Sequence, residues 1–329
     1  MIAAVLAVLA CTAVLALAGP AVARSVHPAT ATRLLVPVGL AAAMASAFAL
    51  AVAAFTLVGQ LPEIAEMGEW SPAALRADTP VPAVAAMCGA LLLAYALGST
   101  LLLVWRRSVA LLAVHRSCGR LGDPGALVVV ESDAPDAFTT PEVNGRIIVT
   151  RGMLNALTPA QRRAMLAHEA SHLRHRHTWW LLAADLAAAI NPALRPTARA
   201  LRQTVERWAD EDAAAAVADR ETVAYAVAHA ALAAHTYRYR PGTAAAAAAT
   251  GGDVPARVAA LLVPRAPGAR GVIVALAISL MVVAGTVFST LAVERSGETL
   301  FEKAMGADGR LVHAVVATHG VDTGRRAHR

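Results

Sequence analysis

The sequence predicts a mainly α-helical integral membrane protein, with four transmembrane helices carrying one inserted α+β domain. Three observations lead there. Hydrophobic residues make up 57% of the 329-residue chain and charged residues only 16%, where a soluble domain has about one-quarter. The apolar excess is gathered into four stretches without Asp, Glu, Lys or Arg, at residues 1–23, 34–62, 79–105 and 271–293. Between the third and fourth lie residues 106–270, long enough for a domain with its own core.

Each apolar stretch exceeds the roughly 20 residues a helix needs to cross the hydrocarbon layer. Backbone groups in lipid must be satisfied internally, so all four read as helices. Pro37 and Pro82 sit near stretch ends, where they disturb a helix least. Ala21-Val22-Ala23 resembles a signal-peptidase site, as Cys11 and the three residues before it resemble a lipoprotein site. No basic residue precedes the apolar stretch, so a retained first helix is expected over a cleaved leader. Arg24 and Arg33 lie between the first two stretches, and Arg106, Arg107, Arg116 and Arg120 follow the third. The loop between the second and third holds Glu63, Glu66, Glu69 and Asp78 against Arg76 alone. The positive-inside rule then puts the inserted domain in the cytoplasm of a plasma-membrane protein. The net charge of +6 belongs with arginines that meet anionic lipid at span ends. Aromatics are only 4% and no basic stripe interleaves them, so direct nucleic-acid binding is not expected. Cys11, Cys88 and Cys118 have no metal-type spacing and form no disulfide framework.

The domain opens on a helix continuing from the third span, through Ser108 to Arg120. Gly122-Asp123-Pro124-Gly125 breaks it. Two β-branched runs follow, at 126–130 and 146–150, with turn signals at Pro135, Pro141 and Asn144-Gly145, which predicts a small sheet. Thr158-Pro159-Ala160-Gln161 is a capping-box signal for a helix over 159–177. Residues 178–190 are apolar, too short to span, and read as an interfacial or buried helix, with Trp179 and Trp180 as interface anchors. Further helices are expected over 197–218, 221–235 and 254–263. The alanine-rich stretch 242–253 reads as a mobile loop.

One motif carries chemistry. HEASH, residues 168–172, puts His168 and His172 four apart on one helical face, with Glu169 rotated about 100 degrees beside them. This is the HExxH arrangement of two zinc ligands and a general base. Zinc needs a third ligand and an open position for water. The extended HExxHxxGxxH form fails, because His175 and Thr178 stand where Gly and His are required. Glu206 and Asp210, four apart on a later helix, offer a ligand and a carboxylate to orient a ligand histidine. Their competing reading is surface ion pairs with Arg202 or Arg207. Asp210, Glu211 and Asp212 are consecutive, so the assignment can slip among them. His175 and His177 read as a solvated basic helix end. Tyr225, His229 and Tyr237 are open candidates for stabilising an oxyanion.

With HEASH followed by ERWAD, and DAFTT (136–140) followed by RIIVTRGML, the chain resembles the antirepressor metallopeptidase family typified by the β-lactam sensor-transducer receptors. The order of three spans, protease domain and last span is similar too. The domain also resembles HtpX-type membrane endopeptidases. The resemblance implies a gluzincin-like zinc-protease domain, built from a small sheet and the HExxH helix. It implies one zinc per chain on His168, His172 and Glu206, with Glu169 as catalytic base and Asp210 behind the ligands. It also implies a protein or peptide substrate, a transcriptional repressor in the antirepressor case. The expected division is 1–107 for three spans and their loops, 108–268 for the cytoplasmic domain, 269–293 for the fourth span and 294–329 for an extracytoplasmic tail. That tail has no Ser-x-x-Lys and no room for a penicillin-binding domain, so direct β-lactam sensing is not expected.

Overall fold

Helices dominate the computed structural model, which describes residues 1–118, 127–140, 145–238, 253–263 and 268–325. Among the described residues four helices are long and apolar enough to cross a bilayer: α1 (Ile2–Ser25), α2 (Pro28–Val58), the part Ala83–Ala113 of a longer helix, and the part Ala269–Gly306 of another. The chain is a multi-pass membrane protein on this evidence. Two short helices, α3 (Pro62–Gly68) and α4 (Pro72–Asp78), precede α5 (Ala83–Cys118). The acidic loop expected there thus holds two helices; Pro62 and Pro72 open them and Ser71 caps the second, accepting from the Ala74 amide. Pro37 lies inside α2 and not near its end. The helix starts six residues before the charge-free stretch, so it takes in Arg33 and pushes Pro37 inward.

The chain forms two compact units. The first comprises Met1–Val14, Ala41–Ser99 and the chain from Met281 onward. Small residues let its helices approach closely. A Cβ added to Gly285 would stand 2.6 Å from Cys11 Sγ, the close packing that association in lipid favours. Thr12 and Ser46 hydroxyls meet at 3.0 Å between Val8, Ala45, Ala49 and Val293. Leu75, Leu300 and Ala304 form a second core, walled by the rings of Phe55, Trp70 and Phe301.

The second unit comprises Leu15–Leu40 and Thr100–Leu280. Its sheet has three strands, β1 (Leu127–Val130), β2 (Ala137–Thr139) and β3 (Ile147–Thr150), in the order β1-β3-β2. β1 runs parallel to β3 and β2 antiparallel, with Phe138 opposite Ile148. Thr150 ends β3 and caps α6 (Arg151–Ala156) through the Met153 amide. Val149, Met153, Leu157 and Met165 then close a core between sheet and helix.

The capping box is formed: Thr158 and Gln161 each accept from the other's amide at the start of α7 (Pro159–Arg174). Thr158→Ala is expected to cost about 1 kcal/mol, read as a lower thermal midpoint of the purified protein. α7 stops three residues before the expected end because Arg176 takes φ 53°, turning the chain into α8 (His177–Ile190). Asp185 of α8 is held by Arg107 at 2.7 Å and by Arg202. α9 (Arg195–Val217) follows the short 3-10 turn Pro192–Leu194. Its approach to α1 depends on Gly19: a Cβ there would lie 2.5 Å from Thr197 Oγ1, which donates to the Leu15 carbonyl at 2.9 Å. α10 (Arg220–Arg238) and α11 (Val254–Leu262) pack on α9 through Ala213, Ala214, Val223, Ala224 and Leu261. α12 (Ala269–Arg325) runs past the apolar stretch without a break. The expected chain break at Gly122–Gly125, Asn144 of the expected turn, and the alanine-rich stretch up to residue 252 lie outside the described residues, as does the tail beyond 325.

Candidate metal centre

The structure brings His168, His172 and Glu206 together. α7 presents both imidazoles on one face, and α9 lies along it. One candidate ligand atom from each of the three residues lies within 4.8 Å of the others. The two Nε2 atoms are 3.1 Å apart. Glu206 Oε2 lies 3.6 Å from His168 Nε2, and Oε1 lies 3.7 Å from His172 Nε2. Four ligands bound tetrahedrally at zinc's usual 2.0–2.2 Å stand roughly 3.3–3.6 Å apart. The donor types and their spacing therefore fit a zinc ion.

The three consecutive acids on α9, each turned about 100 degrees from the last, take different sets of partners. Asp210, 2% exposed, has Oδ1 3.0 Å from His168 Nδ1. Glu211 pairs with Arg220 through two nitrogens at 2.7 and 2.8 Å. Asp212 accepts from Ser171 Oγ at 2.7 Å, meets His175 Nε2 at 2.8 Å, and takes Arg174 at 3.2 Å. It thereby fastens α9 to the end of α7.

Sequence reasoning missed Arg257. Among the described residues neither Arg202 nor Arg207 pairs with Glu206 or Asp210. Arg257 of α11 donates to both oxygens of Asp210, at 2.8 and 2.7 Å, and lies 3.0 Å from Glu206 Oε2. A signal existed, since Arg257 is the lone charged residue in the apolar run 254–263, and an arginine buried in such a helix needs an acid. The reading of His175 and His177 as a solvated basic end is also corrected. His177 is 1% exposed because the left-handed turn at Arg176 folds it back against Trp208, at 4.8 Å between ring centroids. His175 stacks on the same indole at 4.5 Å.

The electrostatics suit one shared positive charge. Burial works against a proton on His168, but the carboxylates of Asp210 and Glu206 beside it raise its pKa to about 10. Burial and the neighbouring His168 charge push His172 down to about 4. Burial would raise Glu206, yet its contact with His168 and the charges of His168, His172 and Arg257 hold it well below the usual carboxylate range. One cation among two imidazoles and a carboxylate meets all three demands. Burial pushes the Glu169 carboxyl up to about 7, which suits a group that takes and returns a proton near neutrality.

His168, Glu169, His172, Glu206 and Arg257 line a cleft of about 590 Å³. Its walls are β2 with Pro135 and Asp136, and the apolar face of α10 from Val223 to Ala234. Among the described residues β2 is an edge strand and pairs only with β3. Tyr225, His229 and Tyr237 are not among the lining residues; His229 instead meets Gln161 Oε1 at 3.2 Å.

Fold and site together define a multi-pass membrane protein with a candidate metal centre on an HExxH helix. Part of the chain is similar to known peptidase sequences. Residues 105–191, about a quarter of the chain, match the model of Peptidase family M48. The match includes His168, Glu169 and His172 and ends before Glu206. The chain is also similar to proteins named protease HtpX homologue. That of Thermoplasma acidophilum is 45% identical over 60 residues, 18% of this chain and 19% of that protein. That of Acidiphilium cryptum is 40% identical over 82 residues, 23% and 28% of the two chains. That of Aeropyrum pernix is 42% identical over 65 residues, 19% and 20%. The chain thus spans less than a third of the length of each of these relatives. No solved structure matches it.

Proposed function

We propose that this chain is a membrane-bound zinc metalloendopeptidase with a gluzincin-like catalytic domain facing the cytoplasm. The observation that carries the reading is the convergence of His168, His172 and Glu206 on one point, with the buried carboxyl of Glu169 on the same turn of α7. His168, His172 and Glu206 hold one zinc per chain. Asp210 orients His168 and raises its basicity by accepting from the nitrogen that does not face the metal. Arg257 holds Asp210 and Glu206 in place. A zinc ion held by these residues would supply a water of pKa about 7 and a Lewis acid for a carbonyl oxygen. Glu169 accepts a proton from the attacking water and returns it to the leaving amine. The edge of β2 that is unpaired among the described residues binds an extended peptide by adding it as a further strand, with main-chain hydrogen bonds fixing the scissile bond over Glu169. A carboxylate kept beside an open metal position has no use in a purely structural site, and this sets the enzyme reading above a non-catalytic one.

Two roles fit this chemistry. The order of three spans before the domain and one after favours regulated cleavage of a cytoplasmic protein such as a repressor. The named relatives favour an HtpX-like role in removing damaged membrane proteins, and the cleft serves either substrate. The test is hydrolysis of a quenched fluorescent peptide by the purified chain in detergent. A chelator is expected to abolish cleavage and added zinc to restore it, while His172→Ala stays inactive with or without zinc. Cleavage indifferent to chelation would overturn the proposal.

A further inference from the structure

We propose that His177 positions His172, accepting a hydrogen bond from the ring nitrogen that faces away from the metal, and so sets the metal affinity of the centre. The inference rests on the metal-site reading above. His172 turns Nε2 toward His168 and Glu206 and leaves Nδ1 on the opposite side, 2.9 Å from His177 Nδ1. An imidazole that gives one nitrogen's lone pair to a cation carries its proton on the other. That N–H is partly buried and needs an acceptor. His177 Nδ1 supplies the lone pair, which places the proton of His177 on Nε2. Nε2 is buried and has no hydrogen-bond partner among the described residues. The contact with His172 is therefore the hydrogen bond that gives the His177 ring its direction.

Stacking fixes the ring otherwise. His177 lies against Trp208 at 4.8 Å and His175 at 5.7 Å between centroids. Trp208 is itself covered by the Arg33 guanidinium at 4.9 Å, and His175 is tied to Asp212. An acceptor so held leaves His172 little freedom to swing from the metal. The two imidazole ligands are thus supported differently, His168 by a carboxylate and His172 by a neutral ring. Three carboxylates already surround the site, Glu169 and Asp210 buried and Glu206 partly buried. A fourth beside His172 would add a further buried charge with no cation to match it; an imidazole gives direction without charge.

The test compares two variants by zinc affinity in chelator competition and by the visible spectrum of the cobalt-loaded chain. In His177→Asn the side-chain oxygen sits near the former Nδ1 and still accepts; His177→Phe keeps a ring to fill the space but removes the acceptor. The expected result is zinc binding within about threefold of the parent for Asn. For Phe it is a loss of about 10–100-fold, as for other partners of metal-bound histidine, with a shifted cobalt spectrum. Parent-like affinity in the Phe variant, or equal loss in both, overturns the inference. Failure of the unaltered chain to bind zinc would instead overturn the metal-site reading.

Discussion

Glu169→Gln is expected to lower kcat/KM by about 10²–10⁴-fold, the usual contribution of a positioned acid–base group, while the protein keeps one zinc per chain. Glutamine has the same length and nearly the same volume, so α7 and the cleft wall stay as they are. It cannot take a proton from water or return one to an amine. Glu169 is 9% exposed, and burial already opposes its charge, so a neutral amide there costs little stability. The separation of retained metal from lost cleavage distinguishes a catalytic carboxylate from a structural one. Undiminished cleavage by the variant would remove Glu169 from the mechanism.

Arg257→Leu is expected to be the most destabilising single change in the site. It leaves Asp210, 2% exposed, and Glu206 without their guanidinium. Removing one partner of a buried ion pair costs about 3–5 kcal/mol, because the other charge stays buried and uncompensated. Arg257→Lys is expected to recover part of this, since it restores the charge but not the two-pronged contact with Asp210. The check is the thermal unfolding midpoint of the metal-free protein in detergent. The Leu variant should melt far below the parent, with Lys between them. Added zinc should narrow the gap, because a cation on Glu206 supplies part of what Arg257 gave. Equal midpoints for parent and Leu variant would mean that Asp210 is stabilised by something other than Arg257.

The parts of this centre that sequence reveals are those set by local periodicity. His168 and His172 share a face because α7 is a regular helix, and its start is fixed by Thr158 and Gln161 within one turn. Glu206 and Asp210 were legible for the same reason, as a pair four apart on a helix with Leu201, Val205 and Trp208 on its buried side. Two features depended on geometry that no local pattern encodes. The turn at Arg176 has positive φ without glycine or asparagine to announce it, so the expected helix ran on to residue 177 and left His177 facing solvent. Arg257 reaches Asp210 from a helix 47 residues further along the chain, and only the packing of α11 on α9 and α10 brings them together. The apolar spans were legible from composition alone, but their true ends were not. α2 begins before its charge-free stretch and α12 continues well past its own, because a helix ends where hydrogen bonding stops and not where hydropathy falls.

The zinc K-edge X-ray absorption spectrum of the purified chain, read beside that of Glu206→Ala, tests the central claim most directly. The account predicts about one zinc per chain with two imidazoles and oxygen donors at about 2.0–2.2 Å, and a lost or weakened site in the variant. A chain that holds no stoichiometric zinc, or a spectrum without paired imidazoles that Glu206→Ala leaves unchanged, would contradict it.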